Sequence, residues 1–403
     1  MRIRLPSSFL WGAALSSYQC EGENSNSDWY AWEKEKNLQQ SGRACDHYRL
    51  FDRDFKEARN LNLNSLRFSI EWARVNPSPG VFSDSELEHY RLVVDALLKR
   101  GLHPLITLHH FTNPLWFNQT QGWLNPKNID YFLAYLKKIV DLFRGKIDLW
   151  VVFNEPLVYI YNSFIRGIWP PGEKSFKSAK KALDNIIIAY LLGYQEIKKA
   201  NKKDFINSQV SFSKHVRIFS GCPDFNLFLN SLSAFCRNQQ FNFWLIDKLQ
   251  KKKSLDFIAL NYYCKEYVSF KGLLGTECKH KIHKERRNQL GWDIYPEGLF
   301  EVLLDLKRFE LPIIITENGT AESEDNFYQE YLLKHLKSVG KAFLSGVDIK
   351  GYFWWSLLDN FEWEKGFKHR FGLLAVDFET MDRKVRPFAK VYAEICKSNE
   401  IEI

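Results

Sequence analysis

Long apolar runs are missing from this 403-residue sequence. No stretch approaches the ~20 uninterrupted apolar residues of a membrane-spanning helix. The apolar segment near Phe9 is broken by Ser16, Ser17, Gln19 and Glu21, which makes it too polar for a signal-peptide core. No G-x-G-x-x-G turn follows the first apolar run, which argues against a dinucleotide-binding open sheet. No linker, low-complexity tract or repeat divides the chain, so residues 1–403 are expected to form one domain. Excess positive charge is modest: Lys and Arg number 56 against 48 Asp and Glu. The densest basic stretches, Lys251–Lys253 and Lys279–Arg287, are short, so no nucleic-acid partner is expected. The seven cysteines include no C-x-x-C pair and are odd in number. Both features point to reduced thiols in a cytoplasmic setting. Cys278, His280 and His283 form a C-x-H-x-x-H run with no second ligand cluster, so no metal is expected.

Aromatic residues are plentiful, with 13 Trp, 18 Tyr and 32 Phe. They fit either a large aromatic core or a site that stacks flat apolar faces such as sugar rings. Short β-rich runs alternate with helical patterns. The pairs are 10–17 then 46–60, 65–72 then 85–100, 103–110 then 130–143, and 149–154 then 178–200. They continue as 209–215 then 241–249, 256–263 then 297–309, 312–317 then 325–344, and 349–357 then 386–397. Runs such as Pro312-Ile-Ile-Ile-Thr316 are apolar throughout, as in parallel strands buried on both faces. Eight such units predict an α/β fold of the (β/α)₈ TIM-barrel type. Ser83-Asp84-Ser85-Glu86 offers N-cap candidates for the second helix. Cys264 to Leu290 reads as a long strand-to-helix loop on the active face.

Polar residues gather where the predicted strands stop. They are Gln19 and Glu21, Arg67 and Glu71, His109-His110, Asn154-Glu155-Pro156, Asn261-Tyr262-Tyr263, Glu317-Asn318-Gly319, and Trp354-Trp355 leading to Asp359, Glu362 and Trp363. In a barrel those ends converge on the catalytic face. Glu155 and Glu317 end predicted strands four and seven and can oppose each other across a pocket. Two opposed carboxylates suit glycosidic bond cleavage, one as proton donor and the other as nucleophile or water activator. Two strand-end glutamates capping the following helices would look the same.

Several blocks carry a family resemblance. Ile315-Thr-Glu-Asn-Gly319 resembles the nucleophile motif of glycoside hydrolase family 1, the β-glucosidase-type family, and Phe153-Asn-Glu-Pro156 its acid/base motif. Phe9–Gly22 is similar to the N-terminal signature. Gly351–Trp363 and Arg370-Phe-Gly-Leu373 resemble the strand-eight block and the segment after it. The resemblance runs from about Phe9 to Pro387.

It implies a retaining β-glycosidase acting on β-D-glucosides, with β-galactosides or β-fucosides as further substrates and no cofactor or metal. Glu317 would be the nucleophile and Glu155 the acid/base. Arg67, Tyr263 and Asn261 would support the nucleophile. Gln19, His110, Asn154, Trp355, Glu362, Trp363 and Phe371 would bind the sugar, with Trp355 as the stacking platform. Arg67 is expected to depress the Glu317 pKa, and the charge of Glu317 to raise that of Glu155. Glu362 stands where relatives acting on 6-phosphorylated sugars carry Ser, which favours free glycosides over phosphoglycosides. A 6-phospho-β-glycosidase, a transglycosylase and a non-catalytic sugar-binding relative are the alternatives. Cys20, Phe111 and Glu71 depart from common family residues, and the chain is shortened between Glu155 and Asn261. The partner is a small β-glucoside or oligosaccharide, and no motif specifies an oligomer.

Overall fold

The apolar runs become β1 (Leu10–Ala14), β2 (Ser65–Ser69), β3 (His103–His109), β4 (Leu149–Asn154), β5 (Gln209–Gly221), β6 (Ile258–Ser269), β7 (Ile313–Asn318) and β8 (Ile349–Trp355). The structure, a computed structural model, describes residues 1–204, 207–224, 226–278 and 286–403. Every strand pairs in parallel with its sequence neighbours, and β8 pairs with β1 to close the ring. Between and after them lie α1 (His47–Asn60), α2 (Asp84–Lys99), α3 (Ile129–Leu142), α4 (Phe176–Asp204), α5 (Leu227–Arg237), α6 (Trp244–Lys251), α7 (Pro296–Leu306), α8 (Asp325–Leu344) and α9 (Pro387–Ser398). This is the expected (β/α)₈ barrel. The Ser83 hydroxyl accepts from the Glu86 amide at 3.3 Å and caps α2.

Alternation along the strands makes two cores. Leu66 and Phe68 of β2 and Tyr352 and Trp354 of β8 face outward into the large core under the helices. Leu105, Val151, Ala259, Ile314 and Phe353 form a separate cluster inside the barrel. Gly12 is required there, because a Cβ on it would lie 2.4 Å from the Phe353 ring. Above that plug the inward positions turn polar, and the site begins.

Three expectations change. The stretch from Cys264 is not all loop. β5 and β6 stay paired past the barrel rim, from Ile218 opposite Lys265 to Gly221 opposite Val268. An additional helix, α5, packs beside this ribbon, so the fifth unit carries two helices joined by a π-helical turn at Asn238–Phe243. Lastly, Cys222 and Cys278 are joined as a disulfide. Their amides donate to the carbonyls of Val268 and Tyr267, adjacent residues of β6, which brings two distant thiols together. Reduced thiols therefore describe only the remaining five, and the cytoplasmic placement loses that basis. His280 and His283 lie outside the described residues. Among the described residues no helix is long and apolar enough to cross a membrane.

One buried ion pair ties α1 to the segment before α9. Arg383 donates from Nε and Nη2 to the two oxygens of Asp54 at 2.7 and 3.0 Å, and from Nη2 to the Cys45 carbonyl at 2.6 Å. Both side chains are almost wholly buried. Arg383→Met leaves a buried carboxylate facing only His47, and is expected to lower unfolding free energy by about 3–5 kcal/mol. Urea unfolding checks this; a loss below about 1 kcal/mol, the worth of an exposed pair, would refute it.

Candidate active site

Strict alternation would not deliver the site. On β4, Val151 faces the inner cluster and Val152 the outer core, so Phe153 should point inward. The pairing with β5 is irregular between Val151 and Asn154. Phe153 therefore joins the outer core, and Asn154 turns inward to accept from Arg67. β7 uses the same device: its pairing with β6 steps from Leu260–Ile315 to Asn261–Glu317, skipping Thr316. Thr316 and Glu317 then both reach interior partners. Such bulges re-aim side chains at barrel rims. Gly319 lets the chain pass, since a Cβ there would lie 2.0 Å from the Trp355 carbonyl oxygen. Asn318 pins the turn by donating to the Tyr262 carbonyl at 2.6 Å and accepting from the Tyr352 hydroxyl at 2.7 Å.

The two carboxylates belong to one hydrogen-bonded layer. Arg67, almost fully buried, donates through Nε to Thr107 at 3.1 Å, through Nη1 to Glu317 Oε1, and through Nη2 to Asn154 Oδ1 at 2.7 Å. The Tyr263 hydroxyl donates to Glu317 Oε2 at 2.6 Å. Asn154 donates to His110 Nε2 at 3.1 Å. Asn261, expected beside the nucleophile, instead donates to Glu155 Oε1 at 2.6 Å and to Asn154 Oδ1 at 3.2 Å. Register does not account for this: across the β7 bulge Asn261 lies opposite Glu317, yet its Oδ1 accepts from the Thr316 hydroxyl at 2.7 Å and its amide turns to Glu155.

The pocket mouth is aromatic. Trp355 donates from its indole to Glu362 Oε1 at 3.3 Å and lies near-parallel to the His110 ring, centroids 6.0 Å apart. Trp363 stacks on Tyr18 at 5.9 Å and meets Phe111 edge-on at 5.5 Å. Phe371 packs with Tyr263, Cys264 and Trp355. Gln19 donates to the Phe361 carbonyl at 2.9 Å, while its Oε1 is buried without a protein partner, as is His110 Nδ1. Two strand-end residues stay out of the pocket. His109 faces the outer core beside Trp123 and Phe153. Glu71 is a structural acceptor for Thr112 and Ser17.

Three backbone positions here are left-handed without being glycine: Phe111 (φ 72°), Glu155 (φ 42°) and Trp363 (φ 51°). Each is a conformation that a Cβ disfavours.

Sequence reasoning passed over His215 and Trp169. His215 lies beside the β5 rim, with Nδ1 3.4 Å from Glu155 Oε1. Its place at a predicted strand end was the available signal. Trp169 lies 4.9 Å from Phe111 and 5.7 Å from Trp363, centroid to centroid; only its aromatic type in a loop pointed to it.

His215 also bears on the protonation of the two carboxylates. Burial pushes the Glu317 carboxyl up to about 7, with the charge of Glu155 adding to the effect and Arg67 and Tyr263 opposing it. Burial likewise raises Glu155, but the charge and contact of His215, with the Asn261 bond, outweigh it and hold the carboxyl below its ordinary value. That lowering requires a charged His215, and burial together with Arg217 lowers the pKa of His215 itself. Burial drives His110 well below its ordinary value, so its ring is neutral. Burial lifts Glu362 up to about 8 against the Trp355 donor.

Comparison with known proteins matches this geometry to one group. The sequence profile described as glycosyl hydrolase family 1 matches residues 1–251 and 228–401. A beta-glycosidase structure from Pyrococcus horikoshii superposes with a TM-score of 0.93 at 34% identity, covering 100% of this chain and 97% of that one. Beta-glucosidase A of Thermotoga maritima is 30% identical, with 99% of each chain covered. A beta-galactosidase of Pyrococcus woesei is 29% identical, with 98% of each covered. With a closed parallel barrel, two buried carboxylates at the ends of its strands and a profile match along nearly its whole length, the chain belongs to glycosyl hydrolase family 1 and is a glycoside hydrolase.

Proposed function

We propose that the protein is a retaining β-glycosidase acting on terminal β-D-glucosyl residues, with β-galactosides and β-fucosides as further substrates, and that residues 1–403 form one catalytic domain. The observation that carries this reading is the Arg67 bridge. One guanidinium joins Glu317 to Asn154, and Asn261 joins Asn154 to Glu155. The two carboxylates are thereby tied into one buried polar layer, the pairing that glycosidic bond cleavage uses.

Glu317 attacks the anomeric carbon while the Glu155 carboxylic acid protonates the departing oxygen. The glycosyl–Glu317 ester then breaks when water, deprotonated by Glu155, attacks the same carbon from the opposite face. Arg67 and Tyr263 stabilise Glu317 when it leaves as a carboxylate. Asn154 presents its amide to the sugar 2-hydroxyl. Gln19 Oε1 and the His110 Nδ1–H supply the unpaired acceptor and donor for neighbouring hydroxyls. Trp355 is the platform under the ring, and Glu362 chelates two hydroxyls.

Rejection of 6-phosphates rests on a missing cation more than on repulsion. Glu362 is substantially protonated at neutral pH, given its raised pKa. Lys365 and Lys368 are exposed, and Lys365 faces Glu364 at 3.6 Å. A phosphate would therefore lose its water with no buried partner. An aryl β-D-glucoside is expected to be cleaved with kcat/KM at least about 100-fold above that of its 6-phosphate. Steady-state release of nitrophenol from both compounds tests it. Preference for the phosphate would overturn the reading of Glu362, and no turnover of any aryl glycoside would point to a binding role.

A further inference from the structure

His215 is linked to a chain of groups that double displacement does not itself require. Arg217 Nε donates to His215 Nε2 at 2.9 Å. A guanidinium has donors only, so Nε2 must present its lone pair and the ring proton must sit on Nδ1, the atom facing Glu155 Oε1. Arg217 cannot easily turn away. Its Nη1 donates to Glu266 Oε2 at 2.7 Å, and its backbone is bracketed by the Asn242 amide. Glu266 is itself held by Arg237 of α5, which also donates to the Leu274 and Gly275 carbonyls, each at 2.8 Å.

We propose that Arg217 locks His215 as the neutral Nδ1–H tautomer, and that this lock keeps the transferable proton on Glu155. The proposal rests on the reading of Glu155 as the acid/base group. One proton can be placed in two ways across this pair. On Glu155, it leaves a neutral imidazole and a working acid. On His215 Nε2, it leaves an imidazolium and a carboxylate that cannot protonate a leaving oxygen. The two forms hold the same number of protons, so pH cannot interconvert them, and the environment alone decides. Protonating Nε2 would break the Arg217 bond and set two cations in contact.

Glu155 is the one carboxylate beside His215 that the mechanism uses. From its own strand come Lys214 and Arg217. From β6 come Tyr263, whose ring centroid is 5.7 Å away, and the buried Cys264 thiol next in sequence. Lys214 points its ammonium at the His215 carbonyl and over the Phe241 ring, 4.0 Å from the centroid. Its charge is common to every variant below. Asn261 and His215 both address Glu155 Oε1, which leaves Oε2 to carry the proton to the substrate. His215 and Arg217 are thus positioning residues acting through Glu155.

The test compares a methyl β-D-glucoside, which needs an acid, with a dinitrophenyl β-D-glucoside, which does not. In Arg217→Met the ratio of their kcat/KM values is expected to fall about tenfold, one pKa unit of redistribution. In Arg217→Met/His215→Asn the ratio returns to that of His215→Asn alone, because asparagine cannot take the proton. NMR of isotope-labelled histidine, assigned by the resonance missing in His215→Asn, should show a neutral Nδ1–H ring in the unmodified protein and an imidazolium in Arg217→Met. The proposal is overturned if Arg217→Met slows both substrates equally, if the double variant stays low, or if the unmodified protein holds an imidazolium. Glu155→Gln is assayed alongside. If it cleaves the methyl glucoside normally, the acid/base reading has failed and the proposal with it. If it does not, and Arg217→Met leaves the ratio unchanged, only the lock has failed.

Discussion

Glu317→Gly is expected to lose aryl β-D-glucoside turnover by about 10⁴-fold or more, the scale seen when a covalent nucleophile is removed, and to regain part of it in azide. Arg67 and Tyr263 remain in that variant, with donors that had converged on the missing carboxylate. They form an anion site below the anomeric carbon, where azide can take the place of the side chain. Azide arriving there displaces the aglycone in one step, so the product is the α-glycosyl azide. Glu317→Gln keeps the shape but carries an amide in place of the carboxylate, and should be equally inactive and unrescued. Product stereochemistry by NMR decides the matter. A β-azide, or more than about 1% residual activity in both variants (against the far larger loss expected of a nucleophile), would remove Glu317 from that role.

Loss of Glu155 is expected to depend on what is leaving. For Glu155→Gln, a methyl glucoside should slow by about 10³-fold, within the usual range of general acid catalysis. Dinitrophenolate departs without a proton, so its release in the first half-reaction should be nearly intact. Hydrolysis of the glycosyl ester still needs a base, so dinitrophenyl glucoside should give a burst of one equivalent followed by a slow phase. Stopped-flow absorbance would show it. Equal slowing of both substrates with no burst would mean that Glu155 positions the sugar and transfers no proton. Azide should accelerate the slow phase and give the β-glycosyl azide, opposite in configuration to the Glu317→Gly product, because it attacks from the side that Glu155 serves.

The barrel was readable because strands buried on both faces must be apolar throughout, and Leu149–Asn154 and Asp325–Leu344 emerge with the expected bounds. Strand-end position also placed Glu155, Glu317, Arg67 and Tyr263 near one pocket. Which way each side chain points was not readable by counting. Alternation would send Phe153 inward in place of Asn154, and only the pairing irregularities with neighbouring strands correct it. Asn261 lies opposite Glu317 in the register, yet its amide donates to Glu155, which strand position alone cannot tell. The influence of His215 on Glu155 was not readable, because it depends on Arg217 and Glu266, which come from two strands and meet His215 only beyond the rim. The Cys222–Cys278 link likewise depends on both amides reaching neighbouring carbonyls of β6, a coincidence that no spacing encodes.

The left-handed backbone at Phe111, Glu155 and Trp363 sets a trap for laboratory evolution. Glycine or asparagine at any of the three would relax a conformation costing on the order of 1 kcal/mol. A library selected only for survival of heating would therefore drift toward those replacements, and each would erase an aromatic ring of the site or the Glu155 carboxyl. Durable variants of this barrel should be sought by holding these three positions constant and allowing mutation elsewhere, so that heat resistance is gained where the chain is not already strained for its work.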